Sequence, residues 1–252
     1  MAFRAAHAGP RHRGQLRRRL GTAVSRQTQG AVLLILGATV LSISAFSTTY
    51  VNYVKPGFRP LLVGAGAVLA VLGLLSVVAG LVDRPGAHQR GPRVAWLLAV
   101  PVFAIVLIAP PALGAFAARH GDGPPALVRT GGYSALTGGE VMELTLGEFI
   151  GRAYARPGPS LAGRKVRLIG FAVPAEDGRS WYLTRMRIRC CAADALALEV
   201  AVQGAAAPAE DSWVAVTGTW VPWRDGVPDD YVVPALAATA VTAVERPAEP
   251  YE

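Results

Sequence analysis

Three long stretches of this chain contain no Asp, Glu, Lys or Arg: residues 31–47, 61–82 and 94–118. An apolar run of about 18 residues is long enough to cross a bilayer as a helix. Two of the stretches exceed that length, and the first reaches it once its uncharged flanks are counted. They predict three spanning helices, at about 29–48, 61–82 and 94–117, joined by short loops. Tyr50, Tyr53 and Trp96 fall near the span ends, where interfacial aromatics sit. No ionisable side chain lies within a span, so the usual mark of an ion or proton route is missing. Gly64, Gly66, Gly73 and Gly80 would let another helix approach closely, although glycine is common in membrane helices generally. Pro101, Pro110 and Pro111 kink or end the third span.

Beyond residue 118 the pattern changes. Residues 118–144 are rich in Gly and Pro and read as a linker. Thr145-Leu146-Gly147-Glu148 has capping-box spacing, which predicts a short helix to about Arg156, stopped by Pro157 and Pro159. Its apolar positions Leu146, Phe149, Ile150 and Tyr154 share one face. From Lys165 the apolar period becomes two. Strands are expected at Lys165–Val173, Trp181–Cys190, Ala195–Gln203, Trp213–Pro222 and Tyr231–Val244, the last interrupted by Pro234. Five strands in so short a length fit a small five-stranded barrel of the oligonucleotide/oligosaccharide-binding (OB) type, with an open sandwich as the alternative. The expected architecture is a membrane α + β protein. Residues 1–27 form a basic cytoplasmic tail, 28–117 a three-helix transmembrane domain, 118–144 a linker and 145–252 an extracytoplasmic OB-like barrel.

Charge sharpens this arrangement. The formal net charge is +8, yet residues 118–252 hold 13 basic and 16 acidic side chains. The excess lies near the spans: seven Arg in residues 1–27, and Arg84, Arg90 and Arg93 in the second loop, against Lys55 and Arg59 in the first. The positive-inside rule places the tail and second loop in the cytoplasm, and three crossings then put residues 118–252 outside. A cleaved signal peptide is the rival reading of the basic start, but two more apolar spans follow and no A-x-A-like site precedes a polar region. A net-acidic exported domain argues against nucleic-acid binding. The chain has no phosphate-cradling Gly-rich loop, G-x-S-x-G or H-E-x-x-H, and no catalytic constellation, so it does not read as an enzyme.

The remaining chemistry is concentrated at Cys190 and Cys191, the only two cysteines, in Arg-Met-Arg-Ile-Arg-Cys-Cys-Ala-Ala-Asp-Ala. A regular strand would place Tyr182, Thr184, Met186, Ile188 and Cys190 on the core face. Leu183, Arg185, Arg187, Arg189 and Cys191 would share the other, as an arginine stripe that lowers a thiol pKa. A bulge at 192–195 would instead re-aim both sulfurs. Three chemistries fit the pair. Two thiolates suit zinc or another thiophilic metal, with Asp194 close by, but His120 is the only exported His, so ligands are few unless a second subunit of a homo-oligomer supplies them. A strained vicinal disulfide would be readily reduced. Cys190 would otherwise simply fill core space.

These residues also carry a family resemblance. Tyr53-Val54-Lys55-Pro56-Gly57-Phe58, Leu161-Ala162-Gly163-Arg164-Lys165-Val166, Tyr182-Leu183-Thr184-Arg185, Trp213-Val214-Ala215-Val216-Thr217-Gly218 and Pro247-Ala248-Glu249-Pro250-Tyr251 resemble the YcgQ-type bacterial membrane proteins. The specific part is the signature carried by Arg185, Cys190, Cys191, Asp194 and Ala195. The resemblance implies an accessory subunit in the lipid bilayer that works beside a multi-span permease. The alternative reading is a membrane-anchored extracytoplasmic module that senses metal or thiol state.

Overall fold

A computed structural model of the 252-residue chain describes residues 26–82, 112–121, 133, 136, 139–155, 160–175, 177 and 180–252. The described chain divides into two compact units. One holds the helical stretches up to Phe46 and from Leu61, and the other holds Ser47–Pro60 with Pro111–Glu252.

In the helical unit, α1 spans Arg26–Ala45 and α2 spans Arg59–Val82. Among the described residues one helix, Pro56–Leu81, is long and apolar enough to cross a membrane, with mean hydropathy 2.6; Gln29–Ala45 is apolar but shorter. Most of the third expected span lies outside the described residues. Small residues bring α1 and α2 together. A Cβ on Gly37 would fall on the Ala70 backbone, one on Gly73 on the Leu34 backbone, and one on Gly66 would press Leu41 and Val40. Gly66 and Gly73 thus act as the close-approach surface their placement predicts, whereas Gly64 faces open space. Ser44 is buried and its hydroxyl donates to the Val40 carbonyl at 2.5 Å, one turn back, which satisfies it inside the helix.

The second unit is a six-stranded mixed sheet with two short helices. Helix α3 is Ala115–Arg119 and α4 is Leu146–Ala153. The strands are β1 (Val141–Glu143), β2 (Lys165–Pro174), β3 (Trp181–Arg187), β4 (Leu196–Gln203), β5 (Trp213–Val221) and β6 (Ala235–Ala243). The five predicted strands are all present. The sixth, β1, pairs in parallel with the start of β2, so the stretch read as linker already contributes to the sheet. The strand order is β1-β2-β3-β4-β6-β5, and β2 also pairs with β5 along Lys165–Phe171. Pairing therefore runs from β2 through β3, β4, β6 and β5 and returns to β2. The β4–β6 step is parallel and short, while the other steps in this circuit are antiparallel. Gly218 sits at the β5 irregularity, where a Cβ would strike the Ala237 carbonyl oxygen, so only a glycine lets β6 come this close.

Helix α4 forms as its capping box predicts. The Thr145 hydroxyl accepts the Glu148 amide at 3.1 Å, and Leu146, Phe149, Ile150 and Tyr154 are all buried. They join Val166, Leu168, Trp181, Leu183, Leu198 and Val200 in the main core. The helix ends at Ala153, ahead of the predicted Arg156.

A second, smaller core lies on the other side of the sheet. There Ala115 of α3 packs with Phe171, Val173 and Met186, flanked by Leu113, Tyr182, Trp213 and Tyr251. Two sequence expectations change here. The far end of the third expected span, through Ala117, belongs to this packing rather than to a membrane helix. Both faces of β3 are covered: Trp181 and Leu183 enter the main core, while Tyr182 and Met186 enter the second. The supposed solvent face of the strand therefore starts in the main core, and further along it Arg185 and Arg187 are half-buried.

The segment Glu249–Glu252 lies alongside the outer half of β3. Tyr251 bridges in parallel to Met186, the Glu252 amide donates to the Met186 carbonyl at 2.9 Å, and the Ile188 amide donates to Glu252 at 3.1 Å. It takes the place beside β3 that β2 leaves, since the β2–β3 ladder covers only Phe171–Pro174 against Trp181–Thr184.

Candidate metal centre

Strand β3 stops at Arg187, three residues before the position its alternation predicted. Ile188 is buried, Arg189 is exposed, and Cys190 and Cys191 sit in a bend that leads into a 3₁₀ turn at Ala192–Asp194. The physical reason is the Asp194 carboxylate. Its Oδ1 accepts the Arg189 amide at 2.8 Å and its Oδ2 accepts the Cys190 amide at 2.9 Å. A side chain that takes two backbone N–H groups offers the chain an alternative to a strand ladder. The assignment of the cysteines to opposite strand faces therefore fails. Both are half-buried free thiols, and their sulfurs lie 3.6 Å apart on one side of the turn.

The turn is braced from a distant part of the sequence. The Lys55 amide donates to the Cys190 carbonyl at 3.0 Å, the Ala192 amide donates to Tyr53 at 2.7 Å, and Val54 forms an antiparallel bridge with Cys191. Tyr251 adds a second brace: its hydroxyl donates to the Asn52 carbonyl at 2.7 Å and accepts the Leu113 amide at 2.9 Å. Sequence reasoning marked Tyr53–Phe58 and the 247–251 segment as family features without a role. The structure pairs the first with the cysteine turn and lays the second beside β3, with Tyr251 tied to Asn52.

Three donor atoms converge there. Cys190 Sγ lies 3.0 Å from Asp194 Oδ2, and the ligand atoms of Cys190, Cys191 and Asp194 all fall within 4.8 Å of one another. Among the described residues no other set of three His, Cys, Asp or Glu donors gathers in this way. His120 is elsewhere, stacked on Phe116 with its Nδ1 2.8 Å from the Phe116 carbonyl. Ala195 packs against the second core and follows the 3₁₀ turn in an extended conformation.

Electrostatics at the turn follow from the Cys190–Asp194 contact. The thiol donates to the carboxylate, which favours both the protonated thiol and the ionised acid. Cys190 is pushed up to about 11 by that hydrogen bond first and by Cys191 next. Asp194 is held down to about 2 by the same hydrogen bond and by the Arg189 and Cys190 amides. The sign at Cys190 is opposite to the one an arginine stripe would impose, because the nearest charge is the carboxylate. As it stands the thiol is a poor nucleophile and a guarded ligand.

The arginines have separate duties. Arg185 lies over the Trp213 ring at 5.4 Å and donates to the Glu249 carbonyl at 2.7 Å, and burial lowers its pKa. Arg187 reaches to 4.0 Å from the Glu252 carboxylate. That carboxylate in turn accepts the Leu146 and Gly147 amides at 2.8 and 2.9 Å, capping α4. Arg185 of the signature thus holds the 249–252 segment beside β3 rather than ligating with the cysteines.

Residues 141–252 match the DUF1980 C-terminal domain. The match begins at the first residue of β1, so the six strands, α4 and the cysteine turn all belong to this domain, whose family has no characterised function. The bracing strand residues Tyr53–Lys55 lie outside the DUF1980 match although they pair with its turn. No curated protein and no solved structure matches the chain.

Proposed function

We propose that the Cys190-Cys191-x-x-Asp194 turn binds a thiophilic cation such as zinc, and that the chain presents it as a membrane-anchored extracytoplasmic module serving a permease. The observation that carries the reading is the convergence of two sulfurs and a carboxylate within 4.8 Å on one braced turn. Thiolates select soft or borderline cations, and three protein donors leave a coordination position open to exchange, unlike a closed structural zinc site. The backbone N–H bonds to Asp194 orient the carboxylate as outer partners orient ligands elsewhere. A cation must displace the proton that Cys190 shares with Asp194, so affinity rises with pH.

The ring of strand pairings supports an OB-like barrel as the scaffold. The apolar length of Pro56–Leu81 supports a membrane anchor. Leu61 and Leu81 on that helix are 66% and 72% exposed, which favours contact with lipid or with helices of a partner permease.

The test is a titration of the full chain in detergent with Co²⁺ or Cd²⁺, followed by zinc competition. One equivalent with a thiolate-to-metal absorption band is expected. Cys190→Ser and Cys191→Ser should each abolish the band, and Asp194→Asn should weaken binding. If no metal is retained while both thiols react freely with a disulfide reagent, the reading is wrong. For the partner, solubilisation and affinity capture should bring a polytopic permease with the chain; recovery of self-assembled chain alone counts against it.

A further inference from the structure

Beside the outer half of β3 the sheet unit holds a cleft of about 700 Å³, within the size range of small-molecule sites. Its walls carry acids and bases in similar number, but the two signs are not equally engaged. Glu143 pairs with Arg167 at 2.5 Å, Glu148 with Arg152 at 2.8 Å, and Glu252 is committed to the α4 amides. Of the lining acids this leaves Glu249, whose charge, with that of Glu252, acts on Arg185 at longer range.

Three lining cations are far less satisfied. Lys55 Nζ has a 3.5 Å contact to the Ile188 carbonyl, and Arg187 has a 4.0 Å contact to Glu252. Arg185 gives its terminal nitrogens to the neutral carbonyls of Ile169 and Glu249, while its Nε is buried without a partner. A guanidinium forks naturally onto a planar oxyanion.

We infer that this cleft is a second site, which binds a small molecule through a phosphate or carboxylate group held by Lys55, Arg185 and Arg187. The Glu249 and Glu252 carboxylates reach Arg185 only through space, and an occupant would add a direct anionic contact. Charge-assisted, bidentate contacts of this kind are the strong ones available to such a group. The site does not use the sulfurs. It adjoins the cysteine turn through Lys55, whose amide bonds the Cys190 carbonyl while its side chain lines the cleft.

The test is calorimetric titration of the detergent-solubilised full chain with inorganic phosphate and, separately, with citrate, at an ionic strength fixed by sodium chloride. Saturable binding of at least one probe is expected, and which probe binds tells phosphate from carboxylate recognition. Arg187→Gln and Lys55→Gln should each weaken it at least about tenfold, the scale of one lost charged hydrogen bond. Lys55→Arg keeps the charge and should retain binding, which separates a lost contact from a lost fold. Cys190→Ser should leave phosphate or citrate binding unchanged, so failure of the metal reading and failure of this one are distinguishable. Absence of saturable binding of both probes overturns the inference, as does binding that survives Arg187→Gln and Lys55→Gln together.

Discussion

The two units of this protein use leucine in opposite ways. On α2, Leu75 is 59% exposed in a stretch free of charge from Leu61 on, whereas Leu183 on β3 is fully buried between β2 and β4 in the core that α4 joins. In the helical unit the outward face of α2 is apolar, and among the described residues contact fixes Gly30, Gly37, Gly66 and Gly73. The sheet unit is specified by particular atoms, from the Asp194 carboxylate to the Glu252 cap. Chemistry follows specification. The converged donor set and the charged cleft both lie in the sheet unit, and the helical unit offers an apolar surface.

The comparison can be broken most directly with the two leucines. Leu183→Ala should destabilise the sheet unit by about 2–5 kcal/mol, the range for large-to-small changes in a packed core. Leu75→Ala should cost far less, because there is no packed cavity to leave. Denaturant unfolding of both variants in the same detergent measures the difference. Equal losses would show that α2 is enclosed and that the contrast is false.

Next in size is the Glu252 side chain. Glu252→Ala removes the acceptor for the Leu146 and Gly147 amides and should cost about 1–3 kcal/mol. It should also raise hydrogen exchange in α4 and along the 249–252 segment, leaving α1 and α2 unaffected. Thr145→Ala acts on the same helix through a single hydroxyl and should cost about 0.5–2 kcal/mol. If the two substitutions together cost no more than either alone, the two caps are not independent.

The smallest effects are those of pH at the cysteine turn, where both shifted groups are near solvent. Asp194 is ionised more readily in the folded chain than its ordinary value of 3.8 implies. Its contribution to stability is present above that value and is lost as pH falls toward about 2. Cys190 has the opposite sign. Its contribution is present below 9.0 and is lost as pH rises from there toward about 11. Alkylation of Cys190 should therefore be slow at neutral pH and should quicken at alkaline pH. Asp194→Asn should move that onset down, and an unchanged profile would remove the thiol–carboxylate bond from the account.

Much of this was legible in the chain, for definable reasons. Period-two alternation located five strands to within a few residues, because a strand packed in a core must repeat its apolar positions. The Thr145 capping box and the face of Leu146, Phe149 and Ile150 located α4, because those signals act within one helical turn. The site was half legible. Asp194 stood close enough to Cys190 to be noticed, but its two bonds to the Arg189 and Cys190 amides end β3 early, and alternation cannot register a side chain that outcompetes a ladder. Strand β1 is three residues long and carries no period to read. Arg185 and Arg187 looked solvent-facing because charge at a strand end has the same appearance whether it meets water or the wall of a cleft.

The sequence alone determined the separation of an apolar helical half from a strand-rich half, the positions of most strands, and the presence of one vicinal thiol pair beside an acid. These are properties of local composition and periodicity. The tertiary structure alone decided that Tyr53–Lys55 pairs with the cysteine turn, that Glu249–Glu252 lies beside β3, and that Lys55 meets Arg185 and Arg187 around one cleft. Those contacts join residues 64 or more positions apart, and their geometry depends on where β2 leaves β3. No short-range pattern encodes that divergence, because it follows from how the strands pair around the whole sheet.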